Sequence, residues 1–227
     1  TYGFNKESNY QICSPEYHIN YSKFDLKIKK TSSKNRYIKN IYLNLIGKHN
    51  VVNATAAIAL CLNLGLKIDT IKKALKNFSG VQRRLTKVHK KNHIEFYDDY
   101  AHHPTEIKTV LDGVRQVVSN RKIITIFQPH RYSRIKNLKK EFAKCFSSAN
   151  QVILCPVYSA GEKKDLKYNP LNFARMITKF SKVQVILIKE QFELNKFLQK
   201  NLIKNEIVIG MGAGSISNWM NNLKNVL

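Results

Sequence analysis

From about Glu95 onward the chain alternates between short apolar runs and amphipathic stretches of helical length. Ile94–Tyr97 (IEFY) has the pattern of a strand, and Pro104–Val118 that of a helix with proline near its first turn, where a missing N–H is harmless. Lys122–Phe127 (KIITIF) is a β-branched run of the fully buried kind, followed by a helix over 134–147. The cycle repeats with a strand at 151–154, a helix at 171–180, a strand at 183–188 and a helix at 192–199. It closes with a strand at 206–209, the turn Gly210-Met211-Gly212-Ala213-Gly214 and a helix over 216–223. Five strands separated by helices predict an α/β fold, a Rossmann-like, mostly parallel sheet with helices on both faces. Ligands of such sheets sit beyond the carboxyl ends of the strands, so the turns that leave strands are where chemistry is expected.

The first 90 residues follow a different pattern. Short, polar, alternating stretches over 1–45 predict antiparallel strands. Val51–Leu64 is apolar nearly all round, which predicts a helix buried between layers. A second helix is expected over 70–77, its start marked by Asp69, and Phe78-Ser79-Gly80 breaks the pattern. The expected division is an incomplete α/β domain over 1–83 followed by a second domain over 84–227.

Composition narrows the function. No apolar run approaches the ~20 residues of a membrane span. The four cysteines lie far apart with no CxxC pair, which excludes a disulfide scaffold or zinc ribbon and suits a reducing cytoplasm. The net charge of +24 raises nucleic-acid binding as an alternative. Of the 39 basic residues, however, only eight are Arg, and the Lys are scattered from Lys6 to Lys224. A scattered lysine surface is not the Arg-rich face of a specific reader, so no specific nucleic-acid partner and no membrane partner are expected.

Two strand-exit turns concentrate reactive groups. In Tyr97-Asp98-Asp99-Tyr100-Ala101-His102-His103-Pro104, carboxylates, phenols and imidazoles lie within one turn; the two adjacent histidines match no strong metal spacing. In Phe127-Gln128-Pro129-His130-Arg131-Tyr132-Ser133-Arg134, Arg131 and Arg134 are three apart and share a face if a helix has begun. Their planar forks suit a carboxylate or phosphate, and with acidic residues scarce in this chain they look for an anion from outside. The glycine-rich turn after 209 lacks the G-x-G-x-x-G fingerprint and is expected to be a tight strand-to-helix turn. Gly47-Lys48-His49-Asn50 lacks the upstream glycine and the Ser/Thr of a phosphate-cradling loop.

Taken in order, Gly47-x-His49-Asn50-x-x-Asn53-Ala54-x-Ala56-Ala57, Phe78-x-Gly80-x-x-Arg83-Arg84 and Asp98-Asp99-Tyr100-Ala101-His102-His103-Pro104-Thr105-Glu106 resemble the ordered motifs of the Mur ligases. The FQPHRYSR run and the closing GAGSIS resemble the branch of that family that adds L-alanine. The resemblance implies an ATP- and Mg2+-dependent ligase of peptidoglycan precursor synthesis. ATP activates the lactyl carboxylate of UDP-N-acetylmuramate as an acyl phosphate, which the amine of L-alanine then attacks. It further implies that Asn50 and Asn53 lie on the adenine side of the nucleotide and Arg84 and Asp99 on the ribose and phosphate side. Tyr100, His102, His130, Arg131 and Arg134 fall where the family holds the amino acid and the acyl phosphate, at two loops facing one cleft.

The same resemblance marks departures. A G-K-[ST] loop occurs nowhere in these 227 residues, nor do the family's Glu and His that hold magnesium. No metal ligand is therefore assigned here, and the chain is expected to represent the carboxy-terminal part of a ligase, inactive alone. Residues 1–80 are expected to be poorly ordered in isolation.

Overall fold

The computed structural model describes residues 1–29 and 35–225. Residues 30–34, which fall within the stretch expected to form antiparallel strands, lie outside the described part, as do 226–227. The chain forms two compact units, one of Thr1–Gly80 with Gln116–Val118 and the other of Val81–Arg115 with Ser119–Leu227.

In the first unit, β1 (Tyr2–Gly3), β2 (Tyr10–Tyr17), β3 (Ser22–Ile28) and β4 (Arg36–Leu43) pair in that order. The expectation of antiparallel strands holds for β2–β3 and β3–β4, whereas β1 joins β2 in parallel. On β3 the alternation is plain, with Ser22, Phe24 and Leu26 inward. On β4 the inward residues Ile38 and Ile41 are three apart, because Lys39 and Asn40 together oppose Asp25. This is a β-bulge, with Asn40 at φ 57° and its N–H donating to Asp25 Oδ1 at 2.8 Å.

Helix α1 (Lys48–Asn63) begins after Gly47, at φ 97°, and α2 (Ile68–Asn77) follows. Contrary to the all-apolar expectation, α1 buries a single stripe of Val51, Ala54, Thr55 and Ile58, while Leu60 and Leu64 are 62% and 70% exposed. Its many alanines raise the apolar count and favour the helix, yet each covers too little area to require burial. Asp69 does not cap α2. Lys67 holds the N-cap position, and Asp69 sits in the first turn, where a carboxylate complements the helix dipole.

The second unit contains β5 (Thr86–Lys91), β6 (Ile94–Asp99), α3 (Pro104–Val118), β7 (Ile123–Phe127), α4 (Tyr132–Asn137), α5 (Lys139–Lys144) and β8 (Gln151–Leu154). It continues with α6 (Pro170–Ser181), β9 (Gln184–Leu187), α7 (Gln191–Asn201), β10 (Ile207–Met211) and α8 (Ile216–Asn222). The sheet order is β5-β6-β10-β7-β8-β9, parallel except for β5. That edge strand escapes the hydrophobic pattern because TKVHKK is mostly polar; it forms a hairpin with β6 through Asn92-His93, both at positive φ.

One face of the sheet (Ile94, Phe96, Ile124, Ile126, Ile153, Val208) packs on Leu194 and Leu198 of α7 and on Ile216 and Met220 of α8. On the other, Phe127 meets Phe142 of α5 and Phe146 at ring distances of 5.6 and 5.2 Å. Strands covered on both faces have no polar side to show, hence the unbroken apolar runs. The single helix expected over 134–147 is interrupted at Leu138 (φ −116°, ψ 25°) to give α4 and α5. No described helix is long and apolar enough to cross a membrane.

Candidate active site

In the second sheet the exits of β6, β10 and β7 lie side by side, so the two turns picked out above are separated by one strand rather than being immediate neighbours. The intervening turn must be thin. A Cβ on Gly212 would stand 2.7 Å from the Gln128 carbonyl oxygen, and one on Gly214 would stand 2.5 Å from both Gln128 Oε1 and Tyr158 Cγ. The glycines are therefore required for close passage between the flanking loops, not for cradling a phosphate. Gln128, almost wholly buried, fixes this passage: its Nε2 donates to Ser215 Oγ at 3.0 Å and its Oε1 accepts from the Ile216 N–H at 3.0 Å.

Over this turn the two loops meet. The His102 and His130 rings are 5.7 Å apart. Tyr100 stands edge-on to His102 at 5.1 Å, and His130 stacks on Tyr158 at 5.6 Å with 19° between planes. The loop after β6 is held by a capping box: His103 caps α3, and Glu106 accepts from the N–H groups of His102 and His103 at 3.1 and 3.2 Å. Burial opposes ionisation of Glu106, but those two amides and nearby His102 and Arg84 more than offset it and hold its pKa below the usual range. The loop after β7 is held to the exit of β8 by two backbone bonds, Arg131 N–H to the Tyr158 oxygen and Tyr158 N–H to the Pro129 oxygen, both 2.8 Å.

The two arginines do not share a helical face. Arg131 is the N-cap of α4 at φ 69°, and its exposed side chain makes no ion pair or hydrogen bond among the described residues. Arg134 turns back one helical turn, its Nη1 3.0 Å from His130 Nδ1 and 3.3 Å from the His130 carbonyl oxygen. Both partners are neutral acceptors, so the charge of Arg134 remains uncompensated. Burial, then the charge of Arg134 and the neighbouring His102 and Arg131, outweigh Glu162 and lower the pKa of His130, which favours the neutral ring.

Asp99 lies beneath the rim rather than on it. Its Oδ1 and Oδ2 accept from the Ala101 and Leu85 N–H groups, each at 2.7 Å, and only 2% of the residue is exposed. Burial pushes its carboxyl up to about 6 despite those amides and the charge of Arg84. Arg84 itself is exposed. Its neighbour Arg83, part of the same motif but given no role by sequence, is the more engaged of the two. The Arg83 guanidinium donates to the Gly212 oxygen at 2.5 Å, lies 4.7 Å over the Tyr100 ring, and approaches Asp98 Oδ2 at 3.7 Å. Tyr158 also escaped the sequence reading, although it leaves a strand end as the other rim residues do.

Asn50 and Asn53 belong to the first unit. Asn50 Nδ2 donates to the Ile46 oxygen at 2.8 Å, tying down the start of α1. Asn53 lies exposed in mid-helix, its amide making no hydrogen bond among the described residues and so available to a planar base edge. Among the described residues no group of three or more His, Cys, Asp or Glu could hold a metal ion.

Residues 83–214 match the family described as Mur ligase, glutamate ligase domain. The chain belongs to the Mur ligase family. Among curated Mur ligases it is 48% identical to the UDP-N-acetylmuramate–L-alanine ligase of Pelagibacter ubique over 227 residues, all of this chain and 49% of that protein. It is 36% identical to the ligase of the same name from Bartonella tribocorum, over 96% of this chain and 46% of that one. The crystal structure of the UDP-N-acetylmuramate-alanine ligase of Thermotoga maritima superposes with a TM-score of 0.79 at 27% identity, covering 99% of this chain and 47% of that one. The chain thus spans about half the length of the curated Mur ligases it matches.

Proposed function

We propose that this chain forms the amino-acid-handling part of an ATP-dependent ligase that joins L-alanine to the lactyl carboxylate of UDP-N-acetylmuramate in peptidoglycan precursor synthesis. The observation that carries this reading is the meeting of His102 and His130 at 5.7 Å, flanked by two guanidinium groups, of which Arg134 is bonded only to neutral acceptors and Arg131 has Glu162 as its carboxylate neighbour. Such a rim suits a small zwitterion beside a phosphorylated acyl group. Arg131 and Arg134 supply fixed positive charge for the amino-acid carboxylate and for the phosphoryl oxygens of an acyl phosphate. Preorganised donors of this kind stabilise charge as it develops and cost no reorganisation when the reaction occurs. Tyr100 and Tyr158 wall the site and hold the imidazoles in register, so that the amine and the acyl carbon are kept close.

Asp99 acts from below, by tying Leu85 to Ala101, while the exposed Arg84 supplies positive charge for the phosphates of the nucleotide. The open amide of Asn53 is matched to adenine, which offers one ring acceptor and one exocyclic donor; Asn50 braces the helix that carries it. Mg2+ spreads phosphoryl charge when bound, and no step here is assigned to it. Four free cysteines and a nucleotide-activated substrate suit a cytoplasmic setting.

The test is a fusion in which this chain replaces the matching half of the Pelagibacter ubique ligase. Wild-type fusion should release ADP only with L-alanine and UDP-N-acetylmuramate, and the 227-residue chain alone should release none. Arg134→Met should lower kcat/KM for alanine by about 10²–10³, the usual effect of removing one such donor, with the KM for ATP unchanged. Undiminished alanine kinetics in Arg131→Met and Arg134→Met alike would exclude the rim as the amino-acid site.

A further inference from the structure

The two imidazoles at the rim are not equivalent, because each has one ring nitrogen committed to a partner of fixed polarity. His102 Nδ1 lies 2.9 Å from the Tyr100 carbonyl oxygen, which can only accept. Nδ1 therefore carries the proton, and Glu106 Oε2 at 3.6 Å favours the same arrangement. In the neutral ring this leaves a lone pair on Nε2. His130 is the reverse. Its Nδ1 lies 3.0 Å from Arg134 Nη1, and a guanidinium can only donate. Nδ1 must accept, so the proton of the neutral ring is on Nε2.

We propose that His102 and His130 carry opposite tautomers, so that His102 Nε2 takes the proton of the incoming ammonium group while His130 Nε2–H donates to an oxygen of the amino acid or acyl group. This rests on the reading of the rim as the amino-acid site. The two rings cannot exchange roles, because reversal would set Nδ1–H of His130 against a guanidinium N–H and a lone pair of His102 against a carbonyl oxygen.

The chemistry balances. His102 Nε2 accepts one proton from the alanine ammonium and becomes imidazolium, freeing the nitrogen lone pair. That pair forms the C–N bond as the carbonyl π pair moves onto oxygen. The pair then returns, the bond from carbon to the phosphoryl oxygen breaks, and phosphate departs with its electrons. The surplus proton on nitrogen passes to the departing phosphate, leaving amide, hydrogen phosphate and protonated His102. Tyr100, Glu106 and His130 are the ionisable groups facing His102; Arg131, Arg134, His102, Tyr158 and Glu162 face His130. With its Nδ1 lone pair engaged by Arg134 and Arg131 nearby, His130 is placed as a donor through Nε2–H. His102, whose Nδ1–H is held by the Tyr100 oxygen with Glu106 behind it, keeps its Nε2 lone pair free to accept the proton.

Two-bond 1H–15N correlation spectra of the 15N-histidine-labelled 227-residue chain at pH 8, assigned with His102→Gln and His130→Gln, test the assignment directly. The expected pattern is Nδ1–H for His102 and Nε2–H for His130; the opposite tautomer at either ring overturns the inference. In the fusion enzyme, His102→Gln should remove the acidic limb of the pH profile of kcat/KM for alanine and lower it at least tenfold at neutral pH, with the KM for ATP unchanged. An unaltered acidic limb would also overturn it. Reversed tautomers alongside the expected Arg134→Met defect would sink this inference alone. Correct tautomers with alanine kinetics indifferent to His102, Arg131 and Arg134 would sink the amino-acid reading and this proton transfer with it.

Discussion

Arg83 shows how much one side chain can carry when it is partly buried and its partners are charged or orphaned. It bonds the Gly212 oxygen, covers Tyr100 and stands beside Asp98, whose side chain is 3% exposed and whose pKa burial raises despite Ser217 and Arg83. Removing it by Arg83→Met leaves a buried carboxylate without a counter-charge and a carbonyl without its donor. The expected loss is about 1.5–3 kcal/mol, the range for hydrogen bonds to charged groups, read from urea unfolding. Asp98→Asn added to that background should recover part of it, since contacting pairs couple. Lys108→Met, which breaks an i,i+4 ion pair to Asp112 with both side chains roughly half exposed, should change stability by less than about 0.5 kcal/mol. Equal effects of Arg83→Met and Lys108→Met would show that the Arg83 cluster is ornamental.

Between the strand β6 and the helix α3, Asp99 acts as a clasp whose strength depends on pH. Its folded pKa of about 6 lies above the ordinary carboxylate value because burial disfavours the charge. The stability it contributes is thus complete below pH ~4 and is lost as pH rises through about 6, at ~1.4 kcal/mol per pKa unit. Glu95 has the opposite sign: burial opposes its charge, but Lys87, Arg121 and Tyr97 together pull it down to about 2, so its contribution is lost only in acid. Asp99→Asn removes the titration at the cost of one acceptor. Its stability relative to the wild type should therefore improve from pH 4 to about pH 6 and then level off in urea titrations, the Glu95 term cancelling; a flat difference across pH 4–6 would contradict the argument.

The clasp was only half legible in the sequence. The strand, the turn and the helix over 104–118 follow from hydrophobic period and a proline, and the family resemblance drew attention to Asp99, Tyr100 and His102. That Asp99 would face two backbone amides, and that Arg83 rather than Arg84 would reach the glycine turn, depends on Arg83 and Leu85 adopting positive φ (60° and 48°). No residue-type preference announces that conformation at arginine or leucine. The break at Leu138 was hidden for the same reason, whereas β5 was hidden by its lysines. The opposite tautomers proposed for His102 and His130 were hidden too, because their partners, the Tyr100 oxygen and Arg134 Nη1, are fixed only by the folded backbone of each loop.

Across the molecule, the two units differ in how completely each encloses its own core. Val81–Leu227 contains every strand of the six-stranded sheet and helices over both faces, at the size of an ordinary domain. The described residues of Thr1–Gly80 form four strands, two helices and a smaller cluster built around Phe24, Ile41 and Ile58, and α1 shows Leu60, with Leu64 at its C-cap, to solvent. Small domains bury a lower fraction of their surface and are correspondingly marginal. Local opening free energies should therefore differ, the amides of β7 and β10 exchanging at the global limit and those of β2–β4 well before it. Residues 81–227 expressed alone should unfold cooperatively and retain the ring contacts of the rim, seen as unchanged His102 and His130 resonances, while 1–80 alone should show weak protection. Equal hydrogen-exchange protection in the two units, or an unfolded 81–227 fragment, would mean that neither core is sufficient by itself and that the fold is set by the chain as one cooperative body.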